Sequence, residues 1–67
     1  FEIEIPNEWD GKTVSTIDIR GRFGINIMAI RRDGRLDINI TPDMVLTAGC
    51  HMLVLGSNKS IEKCFHI

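Results

Sequence analysis

The stretch IRGRFGINIMAIRRDG, residues 19–34, decides how this chain folds. Four arginines (Arg20, Arg22, Arg31 and Arg32) bracket an apolar run that carries one amide, Asn26, near its start. A strand that only fills a core has no use for that amide, and a strand with one face in water would carry more polar residues. Period-2 alternation over residues 25–31 places Ile25, Ile27 and Ala29 on one side and Asn26, Met28 and Ile30 on the other. Both sides are mostly apolar, so both need cover.

Working outward, residues 20–23 make one turn of helix, closed by Gly24, whose missing Cβ suits a left-handed C-terminal cap. Downstream, Asp33-Gly34 is a two-residue hairpin signal. Leu36, Ile38 and Ile40 then alternate with Arg35, Asp37 and Asn39, which predicts a third strand with one wet face, ended by Thr41-Pro42. At the start of the chain FEIEI alternates too, with Phe1, Ile3 and Ile5 on the buried side, until Pro6 ends the strand. Thr13 can cap a short helix in which Val14 and Ile17 share a face. Residues 43–50 read as an irregular connection, HMLVLG as a fourth strand, and Ser57 as the N-cap of a last helix that turns Ile61 and Cys64 inward. The expected class is α+β, with an antiparallel-rich sheet or open barrel and a C-terminal helix.

Sixty-seven residues make one small domain. A chain of this size hides only roughly 60% of its unfolded surface, so its core is thin. Two cysteines, with no secretory signal, point to a reducing compartment rather than to disulfides. A second copy of the chain, related by two-fold symmetry, is the expected supplement and the expected lid for the doubly apolar strands. No apolar run approaches the ~20 residues of a membrane span, so direct insertion into a bilayer is not expected. The net charge is -1, which argues against a general nucleic-acid surface. Yet five of the eight bases fall within residues 19–35, where Asp33 is the only acid. A local anion site fits that distribution. Because the sequence opens on Phe1, it reads as a domain cut from a longer chain.

Chemistry in the side chains points to binding rather than catalysis. Cys50, His51, Cys64 and His66 are zinc-ligand types, but they lack paired-clamp spacing, and adjacent Cys50 and His51 project to opposite faces of a strand. No third group is placed to orient a Cys-His pair, and Asp37 and Asp43 read as solvated carboxylates. Neither RGRFG nor DGR has the spacing of a phosphate loop. Trp9 reads as a cap over the edge of the core. Arg20 and Asn26 offer a different pairing: a planar fork for phosphate oxygens, and an amide able to match an adenine edge. The alternative is that both are satisfied inside the protein, Arg20 by Asp18 or a helix terminus and Asn26 by a neighbouring backbone group.

The segments EIEIP, GKTV, IDIRGRFGINIMAIRRDG, TPDMVLTAG and LVLG, in that order, resemble the C-terminal domain of regulators of potassium conductance, known as RCK_C or TrkA-C, over residues 1–67. The resemblance implies a β-X-β-β-X-β-α domain that pairs as a homodimer, with no enzymatic activity and no cofactor. It also implies a cytoplasmic setting, behind an N-terminal Rossmann-type domain, in a ring that gates a membrane potassium channel or transporter subunit. Around IR and GIN the chain is most similar to Ktr-type gating subunits, which bind cyclic di-AMP between two protomers. On that resemblance Arg20 contacts a phosphate, Asn26 lies against a base, and Val14, Ile25, Ile27 and Pro42 form the apolar wall. The family pattern has Gly-Asp before its last strand, where this chain has Gly49-Cys50.

Overall fold

The computed structural model describes residues 1–67. Strand β1 (Glu2–Glu4) leads through a single 3-10 turn, Asn7–Trp9, to helices α1 (Val14–Ile17) and α2 (Ile19–Phe23). Strands β2 (Asn26–Arg32) and β3 (Arg35–Asp37) follow as a hairpin, and β4 (His51–Leu55) and helix α3 (Asn58–Phe65) complete the chain. The strands form one antiparallel sheet in the order β1-β4-β2-β3. The class is α+β, as the sequence predicts, and it is an open sheet rather than a barrel.

Local chemistry places the element ends where the sequence puts them. Thr13 Oγ1 accepts from the Thr16 amide at 3.2 Å, and Ser57 Oγ accepts from the Ser60 amide at 3.1 Å, each satisfying a donor that the first helical turn leaves free. Asp33 and Gly34 both take positive φ, 48° and 75°. That conformation matches the twist of the flanking strands and fixes the β2–β3 register at Arg32 opposite Arg35.

One face of the sheet carries the core. Met52 and Val54 of β4 lie opposite Ile30 and Ile27 of β2, and with Ile5, Ile17, Ile19, Ile25, Leu46, Ile61 and Cys64 they pack under the three helices. Trp9 and Phe65, with ring centroids 5.5 Å apart, cap the edge of this cluster. No membrane-length apolar helix is present.

Three expectations about the strands are corrected. The strict alternation in β2 fails at a bulge between Ile27 and Ala29, where Met28 is the extra residue. Ile27 and Ile30 therefore share the core face, while Ala29 moves to the other face opposite Leu53. The third strand is only three residues long, because the Asp37 carboxylate accepts the Asn39 amide at 3.0 Å and turns the chain out of the ladder. Ile38 is consequently exposed and does not alternate inward. Phe1 is exposed as well, although its backbone exchanges hydrogen bonds of 2.9 and 2.8 Å with Val54, and the core cluster starts at Ile3.

The second face of the sheet holds Glu2, Glu4, Arg31, His51, Leu53 and Leu55, with Leu36 at its β3 margin. Met28, Leu36 and Leu55 are exposed there. His51 Nδ1 lies 3.0 Å from Glu2 Oε2, and Arg31 Nε lies 3.8 Å from the same oxygen.

Ser57→Ala should cost about 1 kcal/mol of unfolding free energy, the usual worth of a helix N-cap, read from urea denaturation. A second expected outcome concerns pH. Burial pushes the Cys64 thiol above its ordinary range, with the nearby Arg22 pulling weakly the other way. The folded chain therefore disfavours the thiolate. The thiol's contribution to stability should be constant below the unfolded thiol's pKa of about 8.5 and fall as pH rises from there toward the folded value, and Cys64→Ala should lessen the alkaline decline.

Candidate functional site

A cleft of about 300 Å³ opens where the starts of α1, α2 and β2 meet the loop between β3 and β4. Backbone hydrogen bonds fix its walls. The Ser15 amide donates to the Pro42 carbonyl at 2.9 Å and the Val14 amide to the Met44 carbonyl at 3.0 Å, so the loop is held against the helix by main chain rather than by packing alone. Further along, the Leu46 amide reaches the Lys12 carbonyl at 2.8 Å. Arg32 adds a clamp from the strand side, its guanidinium donating to the Val45 carbonyl at 2.6 Å.

All six residues singled out from the sequence line this cleft: Val14, Arg20, Ile25, Asn26, Ile27 and Pro42. They arrive from four separate segments. Arg20 stands on α2 and Asn26 opens β2, separated by the Gly24 cap that reverses the chain between them. Neither side chain is used internally. Arg20 forms no salt bridge, and the nearby Asp18 carboxylate does not pair with it. The amide of Asn26 makes no side-chain hydrogen bond. Both are exposed, so each keeps its donors for something outside the chain.

The apolar residues differ in what they present. Val14 and Ile27 are half-buried and offer surface to the cleft. Ile25 is fully buried and serves as the floor beneath them. Sequence reasoning missed Ile40 and Thr41, which it placed in or at the end of a strand, and Ser15, Asp18 and Ile19 beside the expected residues. The capture of the Asn39 amide by Asp37 throws Ile40 toward the cleft. Asp18 also approaches α2 closely at Gly21, where a Cβ would lie 2.6 Å from both carboxylate oxygens and the exposed Asp18 side chain would have to shift.

The cysteines and histidines do not converge. Cys64 is buried in the core, whereas His51 sits on the opposite face of the sheet with Glu2. No group of three or more His, Cys, Asp or Glu side chains is placed to hold a metal ion.

A cleft pairing a free guanidinium with a free amide above an apolar floor can hold a ligand that is both anionic and planar. Comparison with known proteins gives this geometry a context. The chain matches the model of the TrkA-C domain across residues 1–67. It belongs to the TrkA-C domain family. The RCK C domain of the potassium transport protein KtrA, solved in complex with cyclic diadenosine monophosphate, matches this TrkA-C domain with a TM-score of 0.91 at 26% identity, covering 100% of this chain and 80% of that one. The GsuK channel matches with a TM-score of 0.82 at 28% identity, covering 98% of this chain and 12% of that one. The RCK_C domain dimer of S. agalactiae BusR, in complex with c-di-AMP, gives 0.80 at 22% identity over 98% of this chain and 93% of that one, a likeness of fold alone. A Bacteroides thetaiotaomicron protein named an uncharacterized transporter is 29% identical over 56 residues, which are 84% of this chain. That alignment spans only 10% of the transporter's length.

Because Arg20 touches nothing it would leave behind unpaired, Arg20→Ala should change unfolding free energy by no more than about 0.5 kcal/mol. Ile25→Ala, beneath the same cleft, should cost about 2–5 kcal/mol through lost burial and the cavity it leaves. Urea midpoints of the two variants, measured side by side, check the division between a residue held for binding and one held for packing.

Proposed function

We propose that this TrkA-C domain is a regulatory, non-enzymatic module that binds cyclic di-AMP at a homodimer interface and passes the signal to a cation transporter or channel. The observation that carries this reading is the cleft itself, which gathers Val14, Arg20, Ile25, Asn26, Ile27 and Pro42 while leaving the polar pair without internal partners. The ligand held by the KtrA domain supports the choice of nucleotide.

Charge and symmetry favour the same reading. Cyclic di-AMP carries two phosphates and two adenines related by a two-fold axis. One cleft offers a single guanidinium and has Asp18 in its lining, so it is poorly matched to a dianion alone. Two copies meeting at their clefts supply two Arg20 guanidinium groups, two Asn26 amides and two apolar walls, one set for each half of the ligand. The second face of the sheet meets the cleft at Asn26, which pairs with the exposed Leu55 across the β2–β4 ladder, so a partner seated there also covers that apolar side chain. In this reading the ligand prefers one relative arrangement of the two protomers, and a Rossmann-type domain and a membrane subunit in the full assembly, on the cytoplasmic side, respond to that preference.

Titration calorimetry with cyclic di-AMP should give one ligand per two chains. Each charge-assisted phosphate contact is worth about 1.5–3 kcal/mol and one ligand meets two of them, so Arg20→Ala should weaken binding by about a hundredfold or more. Unchanged affinity in that variant would remove the site. Dimerisation without any ligand-induced rise in melting temperature would instead identify a purely structural pairing module.

A further inference from the structure

A second cleft, of about 410 Å³, lies at the other end of α2. It runs between the 3-10 turn, the C-terminus of α2 and the C-terminus of α3, and shares no residue with the first. Three of the chain's four aromatic residues gather in it: Trp9, Phe23 and Phe65. All three are half-buried, so each keeps part of a ring open to the groove. Around them stand Arg22, Lys63 and His66, with Glu8 as the only acid in the lining. The Arg22 guanidinium sits 5.2 Å above the Phe23 ring and donates weakly to the Ile17 carbonyl at 3.4 Å.

Bases at helix C-termini are favoured by the carbonyl ends of the helix, which accounts in part for Arg22 and Lys63. It does not account for the aromatic residues. All three pack against the core, yet each leaves part of its ring open to the groove. Aromatic rings beside an arginine, partly open and partly supported from below, are the composition of binding hot spots on protein surfaces.

The shape of the groove selects the class of occupant. Trp9 and Phe65 touch each other with planes tilted by 47°, so there is no parallel-walled slot for a flat ring to enter. What remains is an open groove with an apolar base and a cationic rim. We infer that this groove docks an acidic polypeptide segment: one bulky apolar side chain rests against Trp9, Phe23 and Phe65, and flanking carboxylates meet Arg22 and Lys63. Charge complementarity decides the sign of the partner, and the single anchor follows from the size of the groove.

Trp9 is the chain's only tryptophan, so its emission reports on this groove and nowhere else. The probe is a capped pentapeptide, Glu-Glu-Phe-Glu-Glu, with Glu-Glu-Ala-Glu-Glu, Lys-Lys-Phe-Lys-Lys and sodium phenylacetate as comparisons. The acidic phenylalanine peptide should shift Trp9 emission saturably, and the other three should fail to do so at the same concentrations. Lys63 is exposed and its reversal leaves the core untouched. Lys63→Glu should weaken the acidic peptide by about fivefold to tenfold and bring the basic peptide into binding, a reversal that general destabilisation does not produce. Equal responses to the acidic and basic peptides, or no Trp9 response to any, would overturn the proposal. So would an equal response to phenylacetate, which would make the groove a site for small aromatic acids.

Discussion

Burial of a single sheet face beneath three very short helices is the constraint on which this molecule depends. None of the helices exceeds eight residues, and α1 and α2 have four and five. Helices of that length do not hold together in water by themselves. They persist because Ile17, Ile19, Ile61 and Cys64 bury against Ile30, Met52 and Val54, and because side-chain caps close the first turns of α1 and α3. The functional surfaces are what remains at the ends of these helices once the core is satisfied. That arrangement leaves the Arg20 and Asn26 side chains exposed beside a thin core.

The first cleft gains its definition from main-chain hydrogen bonds rather than from side-chain packing. Its two walls are far apart in sequence, yet the Ser15–Pro42 and Val14–Met44 bonds join them at 2.9 and 3.0 Å. Side chains along those walls can vary without moving the walls, which suits a family that shares one fold at low identity. Helix α2 stands between the two clefts, with Arg20 lining one and Arg22 the other. A tilt of so short an element alters the position of both guanidinium groups at once.

How much of this was legible in the sequence follows from how local each cause is. The Thr13 and Ser57 caps, the Asp33-Gly34 hairpin and the inward pair Ile61 and Cys64 depend on a few neighbouring residues, and all appear where the residues say. The bulge at Met28 was not legible, because it is a mismatch of register between β2 and β4 and belongs to neither strand alone. Nor was the early end of β3: Asp37-Ile38-Asn39 alternates like a strand until its carboxylate takes the Asn39 amide. Arg20 and Asn26 stand out by their chemistry and Val14, Ile25, Ile27 and Pro42 by a family likeness, whereas Ile40, Thr41 and Ser15 enter the cleft through a loop crossing that no linear pattern announces. The aromatic groove was equally hidden, since Trp9, Phe23 and Phe65 are widely spaced in sequence.

The brevity of the two outer strands has a consequence for the behaviour of the protein at high concentration. β1 and β3 each offer three residues, and each carries ionised side chains: Glu2 and Glu4 on one margin, Arg35 and Asp37 on the other. A foreign strand seeking to extend the sheet finds only a short, charged template. Fibril growth by edge addition is thereby discouraged at both margins, and self-association is left to faces and clefts, where geometry can be specific.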